Sequence, residues 1–240
     1  MEELKIPGKL KNILQQFIRG LKDIYQEEVV SIILYGSTIS GEYISRHSNL
    51  NLLVVLKSTD LENLKMASRL INEFRMINPL FFTEGYINAS TDIFPIEFLD
   101  MQENYFVLYG KDVLKGINID ISNLRFQCEQ ELKAKLINLR QNYLRIQKDK
   151  FALRNLLFRS FTSILHILRN VLRLKGKKPP YKKEEILKEL ALEFPIDTHI
   201  WGKIWQAKNK QIKLNNKDTE DLFINFVREL EKIVDIVDRL

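Results

Sequence analysis

Residues 31–37 read Ser-Ile-Ile-Leu-Tyr-Gly-Ser, and residues 49–56 read Asn-Leu-Asn-Leu-Leu-Val-Val-Leu. Each stretch contains an apolar run that is rich in β-branched residues and too short for a helix, which predicts two buried strands, at 29–35 and 50–56. Gly36 ends the first strand. Because residues two apart on a strand share a face, Asn49 and Asn51 should present their amides on the same side of the sheet.

This order of strand, Gly-Ser turn, link and second strand resembles the nucleotidyltransferase superfamily with the polymerase-beta-like fold. The family signature has an Asp-x-Asp pair on the second strand. The resemblance implies that Gly36 and Ser37 form a phosphate-binding turn, and that Asn49 and Asn51 occupy the two metal-ligand positions as part of the nucleotide site. Both carboxylates have therefore become amides, which is a degenerate version of the motif. His47, in the link, is a further candidate phosphate contact or a plain loop residue.

The family chemistry uses two divalent cations that clamp the attacking and leaving oxygens of phosphoryl transfer. Mg²⁺ prefers carboxylate oxygens, and a third acid comes from a neighbouring strand. Glu97 is the candidate for this residual catalytic and metal-binding acid, and Asp100 is the runner-up, on a predicted strand at 95–101 whose opposite faces they would occupy. Because one carboxylate should hold at most one ion weakly, the implied cofactor is an NTP and a competent Mg²⁺ pair is not expected. In the structural alternative, Asn49 and Asn51 hydrogen-bond the turn beneath them.

Interleaved strand and helix patterns extend to residue 120, and purely helical patterns follow. The sequence therefore predicts an α+β fold, with a nucleotidyltransferase-like mixed sheet and helices in residues 1–120 and an all-α helical bundle domain in residues 121–240. In the first part we predict helices at 9–26 and 59–78, a capping box from Thr59 to Glu62, a short strand at 80–83, a helical turn at 84–90 and an edge strand at 105–109.

The helical half contains an apolar segment, 151–174, which predicts the central helix of the bundle. Trp201 and Trp205 should pack in its core, and Asp218 should cap the last helix. Arg159 and His166 are spaced as Arg-x₆-His, which loosely fits the Arg-x₄₋₆-His pattern that HEPN domains use to cut RNA. The structural alternative is a buried, hydrogen-bonded His166 with Arg159 in an ion pair.

Composition and charge limit the partners. The net charge of +6 allows a polyanionic partner without requiring one, and residues 173–183 (RLKGKKPPYKK) carry six basic residues and no acid. This basic loop is either a candidate RNA contact or a solvated surface loop. No apolar run is long enough for a membrane span, and the first residues lack the apolar core of a signal peptide. The single cysteine, Cys128, cannot form an internal disulfide, so we expect a cytoplasmic protein.

Three functional hypotheses follow. The first is a pseudoenzyme that keeps a nucleotide-binding or phosphate-binding Gly-Ser pocket and binds nucleotide weakly without a need for Mg²⁺. The second is an active nucleotidyltransferase that moves NMP from NTP to a hydroxyl acceptor. The third is an RNA-binding or HEPN-like helical module that uses the basic loop. Protein partners and the oligomeric state are left open.

Overall fold

In the computed structural model of this protein, residues 4, 6–39, 49–146 and 148–240 are described. His47 lies outside these residues, as does the side chain of Ser37. The chain divides into two compact units, Met1–Asp120 and Ile121–Leu240. The predicted fold class is confirmed, because the described part of the first unit combines a mixed sheet with helices and that of the second is helical.

The sheet of the first unit contains four strands in the order β3-β2-β1-β4. Their bounds are β1 Val29–Tyr35, β2 Leu50–Leu56, β3 Ile77–Phe82 and β4 Tyr105–Gly110. Strand β1 runs antiparallel to β2 and β4, whereas β2 runs parallel to β3. The predicted bounds of β1 and β2 are confirmed, and β4 is an edge strand as expected. This order brings the end of β1, the start of β2 and the start of β3 to one end of the sheet.

Helices cover both faces of this sheet. They are α1 Gly8–Tyr25, α2 Leu61–Lys65, α3 Ser68–Glu73, α4 Glu84–Ser90 and α5 Pro95–Glu103. The apolar face of α1 packs with side chains of α3 on one side of the sheet, around Phe17 and Leu52. On the other side, α4 and α5 contribute Ile87, Phe98 and Met101 to a second cluster with Ile33 and Leu53. Burial on both faces explains why the central strands are apolar throughout.

The single helix predicted at 59–78 is wrong. Two short helices, α2 and α3, occupy this segment, and Asp60 rather than Thr59 caps the first by accepting from the backbone N–H of Asn63 at 2.8 Å. The chain then enters β3 at Ile77, so Pro79 lies inside a strand. A proline is tolerated there because β3 is at the edge of the sheet, where its missing N–H breaks no ladder.

The strand predicted at 95–101 is also wrong, because this segment is helix α5. Pro95 is at the start of α5, where its fixed φ suits the first helical turn and its missing N–H has no intrahelical partner to lose. Phe98 and Met101, three residues apart, then face the sheet together. The apolar residues Ile96 and Phe98 are two apart, which resembles a strand. The next buried residue, Met101, is three residues after Phe98, which is helical spacing.

The second unit contains α6 Leu124–Ile146, α7 Lys150–Leu174, α8 Lys183–Glu193, α9 Thr198–Lys208 and α10 Asn216–Asp238. Helix α7 contacts the other four, which confirms its central place. Trp201 is fully buried, with its ring 6.0 Å from Phe161 and 4.8 Å from Phe226, as a core residue should be. Asn215, not Asp218, caps α10, and the Asp218 side chain completes a capping box.

Among the described helices of both units, none is long and apolar enough to cross a membrane.

Candidate functional site

One row of four residues crosses the sheet at the end where β1 stops and β2 and β3 begin. Tyr35 of β1 pairs with Tyr105 of β4 on one side and with Asn51 of β2 on the other, and Asn51 pairs with Asn78 of β3. We call Tyr105, Tyr35, Asn51 and Asn78 the end row. Paired residues in a sheet share a face, so these four side chains lie side by side.

The end row is on the sheet face that α4 and α5 cover. Tyr35 and Tyr105 pack against the cluster on that face. Asn51 is two residues before the buried Leu53 of the same cluster, so both side chains are on this face. Asn51 is half-buried, whereas Asn78 is exposed. Asn49 is exposed and is two residues before Asn51, so it belongs to the same face. The amides are thus at the rim of the covered face, where a ligand can reach them.

The turn predicted to bind phosphate follows directly. Residues Gly36–Thr38 form a single 3₁₀ turn after β1, and Gly36 has a φ of 82°. A side chain at this position would meet the Nδ2 atom of Asn51 at 3.3 Å, so the amide of Asn51 lies against the turn. The Gly36 N–H donates to the carbonyl of Asn104 at 3.1 Å. The Gly36 N–H is therefore occupied by a hydrogen bond within the protein and is not a free donor for a ligand.

Thr38 ends this turn with a buried hydroxyl. The side chain is 4% exposed, and its Oγ1 has no hydrogen-bond partner among the residues that the structure describes. Buried polar groups in folded proteins are normally paired, so an unpaired hydroxyl next to a candidate ligand site is a feature of interest.

The two tyrosines of the end row are neutral at physiological pH. Burial raises the pKa of Tyr35 to about 12. Burial also raises the pKa of Tyr105, and the Tyr105 hydroxyl donates to Oδ2 of Asp112 at 3.0 Å, which acts in the same direction. Phenols and amides therefore make up the end row, and none of its four side chains carries a charge.

This set of donors does not fit a pair of Mg²⁺ ions. Asn49 is just before β2, Asn51 is in β2, and β3 is the parallel strand beside β2. Its residue in register with Asn51 is Asn78, a third amide. Mg²⁺ selects carboxylate oxygens, and two dications would meet no neutralising charge here. Within the described ranges, no group of three or more His, Cys, Asp or Glu residues could hold a metal ion.

Glu97 and Asp100 have a different setting from the predicted one. Both are on helix α5, so the argument that they occupy opposite faces of a strand fails, and their spacing of three places them on one side of the helix. Glu97 is exposed in the first turn, where a negative charge favours the helix dipole. On the strand beside β2, the residue in register with Asn51 is Asn78.

The sequence does not single out Asn78, because the pattern around it predicts a helix that Pro79 would end. A signal was nevertheless present. The stretch Ile77-Asn-Pro-Leu-Phe-Phe82 is apolar and contains aromatic residues, and Asn78, Leu80 and Phe82 alternate with period two. An edge strand that tolerates a proline satisfies all of these features.

The candidate HEPN pair differs from the buried alternative, and a role in cutting RNA stays a prediction. Arg159 and His166 are both on α7, but both side chains are exposed, so the prediction of a buried His166 is wrong. The buried polar residues of α7 are Arg169 and Asn170. Arg169 is a structural residue: its Nε donates to the carbonyl of Pro180 at 2.9 Å, and its guanidinium lies 3.8 Å from the Tyr181 ring centre.

The basic loop 173–183 is partly neutralised. Lys177 forms an ion pair with Glu193 at 3.0 Å, and Lys182 with Glu185 at 3.3 Å. Its middle is attached to α7 through Arg169, as described above. The loop thus has a fixed anchor and two paired lysines, and contact with RNA stays a prediction.

Comparisons with known proteins agree with the fold. No protein-family model matches the sequence, and no curated protein matches it. Among solved structures, the chain is similar to the crystal structure of spectinomycin adenyltransferase AAD(9) from Enterococcus faecialis with ATP and spectinomycin, with a TM-score of 0.59 and 13% identity. The match covers 92% of this chain and 99% of that chain. At this identity the likeness shows the fold: a nucleotidyltransferase-like α+β sheet followed by a helical region.

Proposed function

We propose that this protein is a nucleotidyltransferase-fold pseudoenzyme that binds a nucleotide at the Gly36–Thr38 turn and transfers it poorly or not at all. In the proposal, residues 1–120 are the nucleotidyltransferase-like domain and residues 121–240 the helical bundle domain. The observation that carries it is the row of amides: Asn51 and Asn78 lie in register, and Asn49 precedes them on the same alternation.

Loss of catalysis follows from the charge of the site. Carboxylates at these three positions would offset most of the charge of two dications, whereas three amides offset none. Two divalent charges about 4 Å apart repel each other by about 16 kcal/mol at an effective dielectric of about 20, four times the value for two unit charges. Glu97 enters the proposal as the residual acid, a weak ligand for at most one ion, since it is on α5 and not on the strand beside β2.

Retention of nucleotide binding has separate support. The glycine with positive φ, the adjacent Asn51 amide and the buried hydroxyl of Thr38 form a compact polar turn at the end of β1. Turns of this kind bind phosphates through backbone and side-chain donors. The structural neighbour was crystallised with ATP, so an NTP is the ligand class we propose. Because Cys128 is a buried free thiol, we propose a reducing, cytoplasmic location.

The active transferase is the second candidate, because the structural match extends over nearly the whole chain. One experiment separates the two. The purified protein is incubated with α-labelled NTPs, Mg²⁺ and pools of small-molecule, protein and RNA acceptors, while ATP binding is measured by calorimetry. The proposal predicts binding without transfer of label. Transfer that Glu97→Ala abolishes would establish an active enzyme, and a folded protein that binds no nucleotide would refute the proposed pocket.

A gain of metal binding tests the assignment of the three positions. Combining Asn49→Asp, Asn51→Asp and Asn78→Asp should create a Mg²⁺ site if the side chains converge as proposed. We expect Mg²⁺ to raise the melting temperature of this variant and to leave that of the natural chain unchanged. The double variant with Asn49→Asp and Asn51→Asp, which keeps Asn78, should respond more weakly. A triple variant that folds but ignores Mg²⁺ would show that the three positions do not meet at one point.

A further inference from the structure

The amide of Asn51 lies against the turn that should receive phosphate. It is 3.3 Å from the point where a side chain of Gly36 would begin. An amide carries two N–H donors as well as an oxygen acceptor, and its two ends have the same shape, so either end can face the turn. Asn51 can therefore donate to a phosphate oxygen at the turn, which an ionised carboxylate cannot do.

Asn78 extends this donor group across the sheet. It pairs directly with Asn51 on the parallel neighbour strand, and neighbouring strands are about 4.8 Å apart. This spacing allows two side-chain amides to contact successive phosphates or two oxygens of one phosphate. Asn78 is exposed, so its donors are accessible. The neutral tyrosines complete the row, so no carboxylate within it would repel an anion.

We propose that Asn51 and Asn78, with Asn49, bind the phosphate chain of an NTP directly through their amide N–H groups, in the place of a divalent cation. The inference rests on the nucleotide pocket proposed above and assigns Asn78 to it. The physical reason is the sign of the partner groups. A carboxylate and a phosphate are both anions and need a cation between them, whereas an amide donates to a phosphate oxygen without one.

Adding a negative charge at nearly constant shape provides the test. Binding of ATP to the natural chain, Asn51→Asp and Asn78→Asp is measured by calorimetry, once in excess EDTA and once in Mg²⁺. The natural chain should bind ATP with the same affinity, within about twofold, under both conditions. Each aspartate should weaken binding in EDTA by about tenfold or more, because it replaces a donor by a like charge. Mg²⁺ should recover part of that loss.

The controls separate this effect from added charge and from misfolding. Asn72→Asp adds the same charge at an exposed site on α3, which packs on the opposite face of the sheet, and should leave ATP binding unchanged. Asn78→Ala removes the donor without adding charge and should weaken binding less than Asn78→Asp. Circular dichroism and the melting temperature verify that each variant is folded.

The possible results are distinct. ATP binding by the natural chain that requires Mg²⁺ would overturn the direct amide contact and leave the pocket itself in place. Unchanged binding by folded Asn78→Asp would remove Asn78 from the site. No binding of ATP under either condition would overturn both this inference and the proposed function.

Discussion

Two neighbouring rows of the same sheet differ sharply in chemistry. The inner row runs Val107, Ile33, Leu53 and Leu80 across β4, β1, β2 and β3, and it is apolar at every strand. The end row, two residues along each strand, runs Tyr105, Tyr35, Asn51 and Asn78. Both rows are on the face covered by α4 and α5.

The contrast separates what packing requires from what a ligand would require. Leu53 is fully buried against side chains of both helices, so its position demands an apolar residue of that size. Asn51 is half-buried beside Tyr35 and Asn78 is exposed, so burial does not demand an apolar residue at either position. Packing therefore accounts for the inner row, whereas the amides of the end row have no packing reason.

The largest expected effect is on the inner row. Leu53→Ala should lower the free energy of unfolding by about 2–5 kcal/mol, because it leaves a cavity between the sheet and its covering helices. Denaturant unfolding monitored by circular dichroism measures this change. Leu61→Ala is the control, since Leu61 is 83% exposed and its truncation should change stability little. Equal effects of the two variants would contradict the burial that defines the inner row.

The turn beside the end row should be less costly to change. Gly36→Ala should lower the free energy of unfolding by about 1–2 kcal/mol, because an L-residue is strained at a φ of 82°. The new methyl group would also press on the Asn51 amide at 3.3 Å, so ATP binding should fall as well.

Gly116→Ala is the matched control for that change, since a side chain there meets nothing within 4 Å and its φ is not in the left-handed region. If both alanine variants behaved alike in unfolding and in ATP binding, the special conformation of Gly36 would have no measurable role.

The inner row was accessible from the sequence, because burial on both faces produces continuous apolar runs. Strands β1 and β2, helix α1 and the long helices of the second unit all follow from such runs or from helical periodicity. The Gly36–Ser37 turn and the pair Asn49 and Asn51 could be identified for the same reason, since they border a run that is unmistakable.

The rest of the end row could not be predicted from local pattern. Asn78 joins the end row through the parallel pairing of β2 and β3, a tertiary contact that no local periodicity encodes. Tyr105 enters through the antiparallel pairing of β4 with β1. The wrong strand prediction around Glu97 has a related cause. A short segment with apolar residues at alternate positions fits either a strand or a helix, and only its packing decides between them.

Alkaline pH offers a test of the buried part of the end row. Burial raises the pKa of Tyr35 from 10.0 to about 12, so the folded protein keeps a proton that the unfolded chain has lost. The stability that depends on the protonated Tyr35 is therefore fully present below pH 10, and it is lost as the pH rises toward 12.

Tyr35→Phe removes the titrating group, so its free energy of unfolding should fall less between pH 8 and pH 11 than that of the natural chain. Denaturant unfolding at both pH values measures the difference. Tyr86→Phe changes an exposed ring and should follow the natural chain. Parallel pH curves for all three proteins would mean that Tyr35 ionises freely and that this end of the sheet is more open than its burial indicates.

The smallest effect on stability is expected at the amides themselves. Asn78→Asp should change the free energy of unfolding by no more than about 0.5 kcal/mol, because the side chain is exposed and the substitution preserves its shape. Denaturant unfolding in EDTA at pH 7 provides the value. A neutral result for stability, together with a loss of ATP affinity, would show that the amide serves a ligand and not the fold. A loss as large as that of Leu53→Ala would instead mean that Asn78 holds the sheet together, and the distinction between the two rows would disappear.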